Sequence, residues 1–364
     1  MGNGERCVYF DNAAAAPPDE AALEVFLRAA KRHYANTEAV HALAYAARGE
    51  LTAAGRRLAA ALLGKEECPV VWGGSATELF RVIASVPEFS SAAASALEHP
   101  ALTANLKHFT RLTLLPADRR GTVRVEDADA LPPLLAIHQV QSELGVIQPL
   151  ASLFPASGAS CRLCDAVQAA GKLPIFPAAD AWVISGVKFG APGGAALILS
   201  PSGRFTERIL AHAEACRRRD YSVGRVNLPT ILSMVAAAEN AVAAMAENRA
   251  KAAEIHAFIR QGVAEAGIVP TLPEGADVSP YILHLMLPSQ ESAVVVRALG
   301  ARGVYVASGS ACSAESGEPS PALRALGISG ARLYRALRLS FSGRNSMKDA
   351  EIFLSELKTV LKNY

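Results

Sequence analysis

The sequence is poor in the features that most directly announce a function. Charge of one sign is lacking: 36 Lys and Arg stand against 34 Asp and Glu, a net +2. There is therefore no global field for nucleic acid or an acidic membrane surface. No run of about 18 apolar residues occurs, so no membrane span is expected. The opening Met1-Gly2-Asn3-Gly4-Glu5-Arg6 lacks the basic-then-apolar order of a signal peptide. It also has no Ser or Thr at position 6, which an N-myristoylation site would require. Six cysteines in 364 residues do not make a disulfide framework, so a reducing cytoplasm is the expected compartment. The eight histidines show no H-E-x-x-H or comparable spacing, and no metal site is expected. Fixed-period repeats and long Gly/Ser- or Pro-rich linkers are missing as well.

What is present is apolar and alanine-rich. Hydrophobic residues make up 51% and charged residues 19%, which excludes wholesale disorder. At about 150 residues per domain the length suggests two domains. Helix-like patterns alternate with short apolar runs, the rhythm of an α/β fold with a largely parallel sheet. Strands are expected at residues 70–72, 134–138, 162–164, 181–184 and 195–199, and an amphipathic helix at 20–31. Residues 229–266 read as one long helical stretch, a candidate spine between domains. Beyond it the rhythm changes to strand (281–287), helix (291–299) and strand (304–306), which places a second domain from about residue 256.

Several residues stand out chemically. Gly73-Gly74-Ser75-Ala76-Thr77-Glu78 follows a strand and opens a helix, a pattern that suits either a phosphate or an ordinary strand–helix turn. Asp165, at a strand end, reads as a helix N-cap or as the partner of a cationic ring nitrogen, with Gln168 in reach of a ring substituent. Lys188 sits just past the strand at 181–184 among apolar and glycine residues. Desolvation there would make its amine a better nucleophile for a carbonyl; the alternative is a loop lysine snorkelling outward. Cys312 lies in Ser308-Gly309-Ser310-Ala311-Cys312-Ser313-Ala314, a small polar stretch with no apolar face to bury a thiol. Cys161 and Cys164 match C-x-x-C, but on a strand they face opposite sides and cannot share a metal, so they read as core cysteines. His99 alone reads equally as a packed loop histidine, and Arg217-Arg218-Arg219 as a solvated face.

Taken in order, these segments resemble a known family. They are Val8-Tyr9-Phe10-Asp11-Asn12-Ala13-Ala14, Ser75-Ala76-Thr77-Glu78, Glu98-His99-Pro100, Glu143-Leu144-Gly145-Val146-Ile147-Gln148, Asp165-Ala166-Val167-Gln168 with Gly171-Lys172-Leu173-Pro174-Ile175, Ser185-Gly186-Val187-Lys188, Gly309-Ser310-Ala311-Cys312 and Arg338-Leu339-Ser340. The chain resembles the pyridoxal-phosphate (PLP) dependent cysteine desulfurases of the class V aminotransferases, in the iron–sulfur-cluster (IscS/NifS) branch. The resemblance implies fold type I: a large domain with a mostly parallel seven-stranded sheet at 16–255, and a small α+β domain from 1–15 and 256–364. It implies that Lys188 bonds the cofactor covalently, Asp165 pairs with its pyridine nitrogen, Gln168 meets its phenolic oxygen and His99 stacks on the ring and moves protons. Ala76, Thr77 and Ser185 would hold the phosphate, and Arg338 the substrate carboxylate. Cys312 would take the sulfur of L-cysteine as a persulfide, leaving alanine, and pass it to an acceptor such as an iron–sulfur scaffold or a thiolation partner. A homodimer is implied, and neither nucleic acid nor membrane as partner.

The chain departs from the family pattern at the periphery of that site. Val187 stands where a phosphate-binding His is usual, and Gln141-Ser142 replaces paired asparagines at a cofactor and substrate contact. Gly74-Ser75 stands where Ser-Gly is expected. Val223-Gly224-Arg225 replaces Ser-Gly-Thr, and Arg225 could restore a phosphate contact. A selenocysteine lyase or another lyase of the same fold, and a non-catalytic partner of sulfur-transfer machinery, are the competing readings. The retained Lys188 and Cys312 set the desulfurase apart from both.

Overall fold

The computed structural model describes residues 7–125, 132–219, 227–309 and 318–363. The first half runs β1 (Val8–Tyr9), α1 (Glu20–Arg32), α2 (Ala42–Leu63), β2 (Val70–Gly73), α3 (Ala76–Ala84), β3 (Ser91–Ser95), α4 (Pro100–Phe109) and β4 (Arg111–Leu115). It continues with β5 (Leu134–His138), α5 (Leu150–Ala156), β6 (Cys161–Asp165), β7 (Ala181–Ser185), β8 (Ala195–Leu199) and α6 (Thr206–Arg219). The remainder is α7 (Leu228–Ala243), α8 (Met245–Ala264), β9 (Val269–Pro270), β10 (Ile282–Met286), α9 (Ser292–Gly300), β11 (Val304–Tyr305), α10 (Pro321–Ala325), β12 (Ala336–Ser340) and α11 (Met347–Asn363).

Seven strands form the main sheet in the order β2-β8-β7-β6-β5-β3-β4. Neighbours from β7 to β4 pair in parallel, and β8 alone runs counter, antiparallel to both β7 and β2. Every residue of β5, β7 and β8 is buried. Their unbroken apolar runs follow from helices covering both faces. Cys161 and Cys164, on one strand, fall in different apolar clusters, one on each side of the sheet. As strand alternation requires, they cannot meet. The mostly parallel seven-stranded α/β sheet is the architecture that the sequence implies.

Two further strand groups complete the fold. β10 lies between β9 and β12, antiparallel to each, and β1 pairs in parallel with β11. The N-terminal strand is thus stitched to the C-terminal part of the chain, where Phe10 packs edge-on against Phe341 and Phe353.

The structure differs from the sequence expectation at two points. The helical stretch 229–266 is two helices, α7 and α8, bent by 69° around Ala244. No Pro or Gly marks that break. The two halves follow different partners, α7 packing on α1 and α2 and α8 on α11. Strands β3 and β4 were not expected. Ser91-Ala92-Ala93-Ala94-Ser95 has none of the β-branched or aromatic residues that announce a strand. It is a strand because it sits between β4 and β5, where small side chains suit close packing.

The turn after β7 is shaped by Gly186. A Cβ there would lie 2.5 Å from the Gly193 carbonyl oxygen and 2.8 Å from both Ala191 Cβ and Met234 Cγ. The closest obstacle is backbone, which has nowhere to go. Gly186→Ala is expected to cost about 2 kcal/mol or more, the upper part of the range for overpacking. The midpoint of urea unfolding measures this, and an unchanged midpoint would show that the turn can yield.

Candidate active site

The parallel strands β5, β6 and β7 are neighbours, and they end at His138, Asp165 and Ser185. In open α/β sheets ligands bind outside these carboxyl ends. All three residues line one cavity of about 300 Å³. Nine of the eleven residues singled out in the sequence line it too: Ala76, Thr77, His99, Ser142, Asp165, Gln168, Ser185, Lys188 and Arg338. The other two, Cys312 and Arg225, lie outside the described residues.

Asp165 closes β6 with its carboxylate buried. Oδ1 accepts the Val167 N–H at 2.9 Å. Burial, then the nearby negative charge of Glu98, pushes its pKa up to about 7, against partial relief from the Val167 N–H, His138 and Lys188. Among the described residues no Lys, Arg or His stands within ion-pair distance of it. A carboxylate so placed is stabilised by any cation brought beside it.

Lys188 ends the short 3₁₀ turn Gly186–Lys188 that follows β7. Its Nζ donates to the Ala14 carbonyl. Gln168 is fixed at both ends: Nε2 donates to the Ala13 carbonyl at 2.9 Å, and Oε1 accepts from Lys172 Nζ at 3.1 Å. Two site side chains therefore hang on adjacent carbonyls of the N-terminal segment.

His99 is the N-cap of α4, with Pro100 in the first turn, where its missing N–H costs nothing. Its Nδ1 accepts the Ala101 N–H at 3.1 Å. In the neutral ring the proton is then on Nε2. Burial, and next the charges of Lys188 and Arg338, lower its pKa, so the ring is neutral at pH 7.

Arg338 lies on β12, opposite His284 of β10. Nη1 donates to the Ser142 carbonyl at 3.0 Å, and Nη2 pairs with Asp11 Oδ1 at 2.7 Å. The buried Nε has no partner among the described residues. Three of the five guanidinium N–H groups are left for a carboxylate.

The N-terminus of α3 is partly committed. Ser75 accepts the Glu78 N–H at 3.3 Å, and Glu78 Oε2 accepts the Gly74 N–H at 2.6 Å. The glycine pair therefore does not offer that N–H to an anion. Ala76 and Thr77, at the start of the helix, still bring its orphan N–H groups to the cavity.

Sequence reading assigned no role to three residues of the site. Asp11 orients Arg338 across a sequence separation of 327, a pairing no local pattern announces. Glu98 and His138 form a buried pair, with Nδ1 of the histidine 2.7 Å from Glu98 Oε1, which also accepts the His138 N–H at 2.9 Å. Gln148 sets the tautomer. Its Oε1 accepts the Val123 N–H, so its amide nitrogen must be the group 3.2 Å from His138 Nε2. That nitrogen donates, His138 Nε2 accepts, and the ring proton is on Nδ1, facing Glu98. The only sequence signal was a histidine ending an otherwise apolar strand.

Comparison with known proteins agrees with this arrangement. The family model for class-V aminotransferases matches residues 8–353. A cysteine desulfurase of Gluconacetobacter diazotrophicus is 27% identical, over 97% of this chain and 93% of its own. One from Sinorhizobium fredii is 27% identical, over 98% and 97%. Among solved structures, a NifS-like protein superposes with a TM-score of 0.83 at 22% identity, covering 99% of this chain and all of the other. A match over nearly the whole chain, with the cavity at the carboxyl ends of β5 to β7, leads to one conclusion: the chain belongs to the class-V aminotransferase family.

Proposed function

We propose that this protein is a PLP-dependent cysteine desulfurase, converting L-cysteine to L-alanine and passing the sulfur to an acceptor through Cys312. The observation that carries the reading is the convergence on one cavity of a lysine amine, a buried carboxylate lacking a cation and an arginine with N–H groups to spare. Cysteine desulfurases among its relatives support the choice within the family.

The cavity fits PLP by the chemistry of its donors. Asp165 lacks the cation that a protonated pyridine nitrogen would be. Lys188 would supply the amine for an aldehyde, and Gln168 would offer an amide hydrogen to a ring oxygen. The N–H groups opening α3, with the Ser185 hydroxyl, suit a phosphate. Val187, which lines the cavity, adds no donor there. When bound, PLP supplies the electron sink that lets bonds at the substrate α- and β-carbons break heterolytically.

The chain's own residues supply the rest. Arg338, pre-oriented by Asp11 and the Ser142 carbonyl, holds the α-carboxylate and so fixes the direction of the substrate. The Lys188 amine takes and returns a proton at Nζ. His99 offers its proton from Nε2, away from the Ala101 N–H that anchors Nδ1. Asp165 stays ionised once a cation is beside it. Cys312 is the thiol that receives sulfur, on the pattern of its sequence neighbours.

The deciding experiment is an absorbance spectrum before and after adding L-cysteine, with alanine assayed in the same tube. A visible band that shifts on cysteine, with alanine formed, is expected. A protein that takes up no PLP and forms no alanine would overturn the proposal. Cys312→Ala should keep the band and lose sulfur transfer; undiminished alanine formation would instead favour a lyase that needs no thiol. Arg338→Lys removes the fork and should raise KM for cysteine roughly tenfold, with a smaller change in kcat.

Asp165 makes a prediction about stability. Its pKa is about 7 in the folded protein against 3.8 ordinarily. Between about pH 4 and 7 the unfolded chain has released this proton and the folded one has not. Cofactor-free protein should therefore lose stability as pH rises through that window and level off above it. Asp165→Asn should flatten this contribution in urea titrations at pH 5 and pH 8, while alanine formation collapses. An unaltered slope would mean that Asp165 titrates normally.

A further inference from the structure

A second cavity, of about 260 Å³, lies on the far side of Lys188, which lines both. Its wall includes Lys172, Tyr281 and Asn248, with Arg344 and Asp19 also lining it. Nothing in the proposed reaction uses it.

We propose that this cavity binds a short-chain organic carboxylate, with the carboxylate group on Lys172 and Tyr281 and the hydrocarbon against Phe189, Ala237 and Ala241.

Lys172 is only 7% exposed. Its one hydrogen bond is to a neutral group, Gln168 Oε1 at 3.1 Å. Among the described residues it forms no ion pair. Its pKa is lowered to about 7 by burial, then by Lys188 and Arg338. An anion is the missing partner that would make its ammonium form favourable. Tyr281 is a second, independent pointer. It is 3% exposed, and its buried hydroxyl has no hydrogen-bond partner among the described residues, a costly state for a donor. Burial keeps that phenol protonated, with its pKa raised to about 12.

The remaining charges favour a simple carboxylate over an amino acid. Arg344 donates to the Pro18 carbonyl at 2.6 Å and adds positive charge beside Lys172. Asp19, the one carboxylate of the lining, is already engaged by the Ala22 N–H at 2.9 Å and by Asn240 at 3.1 Å. A ligand ammonium would meet cations. The volume and the apolar wall of Phe189, Ala237 and Ala241 exceed what a halide fills. Gly343 keeps space beside Asn248: a Cβ there would lie 1.9 Å from Asn248 Oδ1.

Propionate is the probe. Calorimetric titration into the full-length protein as purified, at constant ionic strength, should show one saturable site at pH 6.5. Affinity should fall on the order of twenty-fold by pH 8.5, as Lys172 loses its proton near pH 7. Tyr281 stays neutral across this window. Lys172→Met should abolish binding. Tyr281→Phe, which keeps the shape of the side chain, should weaken it about fivefold, the usual worth of one hydrogen bond. Arg338→Lys should leave it intact. No saturable binding would overturn the proposal. So would binding that is lost in Arg338→Lys and kept in Lys172→Met, which would place propionate in the first cavity. Chloride matching propionate at equal concentration would reduce the site to a hole for inorganic anions only and overturn it too. None of these readouts requires cysteine turnover, so the desulfurase reading stands or falls separately.

Discussion

Four residues of the N-terminal segment, 11 to 14, hold the site together. The carboxylate of Asp11 pairs with Arg338, the carbonyl of Ala13 accepts from Gln168, and the carbonyl of Ala14 accepts from Lys188. The segment is itself pinned to β12. The Asn12 amide donates to the Ser340 carbonyl at 2.8 Å, the Ala13 N–H donates to Ser340 Oγ at 2.8 Å, and the Ser340 N–H donates to the Phe10 carbonyl at 2.7 Å. Residues far apart in sequence thus reach the cavity from one rigid strip of backbone. Preorganisation of this kind is what makes a site act on one geometry.

Electrostatics adds a second constraint. Glu98 lies close enough to Asp165 to help hold its proton on, while Lys188 and Arg338 depress the Lys172 ammonium and the His99 imidazolium. Asp165, Lys172 and His99 are each held toward the neutral form, a state that a counter-ion bound beside Asp165 or Lys172 would reverse. The two cavities divide this between them. One presents a carboxylate in want of a cation, the other a lysine in want of an anion, and Lys188 stands in the wall between.

Much of this was legible in the sequence, for definite reasons. The apolar runs of β5, β7 and β8 announce themselves because both faces are buried. Lys188, Asp165 and His99 are open to more than one reading from their local spacing alone, and their place together is legible only through the ordered set of motifs that carries the family resemblance. β3 was invisible because its alanines carry no strand preference, and the bend at Ala244 because alanine on both sides suits a continuing helix. The pairing of Asp11 with Arg338 and of Glu98 with His138 arises only on folding, between residues that no periodicity connects. The Gly74 N–H shows the opposite case: a local pattern suggested a free donor, and the fold gives that donor to Glu78.

The interior cysteines have a meaning for sulfur handling. Cys161 is held up to about 12 and Cys164 well above its ordinary value, both by burial first and by neighbouring carboxylates next. Thiols in that state are almost never thiolates, and only thiolates exchange with persulfides. The sheet is thus chemically silent toward the cargo. Neither face of the central strand β6 offers a competing nucleophile, so burial keeps its two thiols out of sulfur exchange.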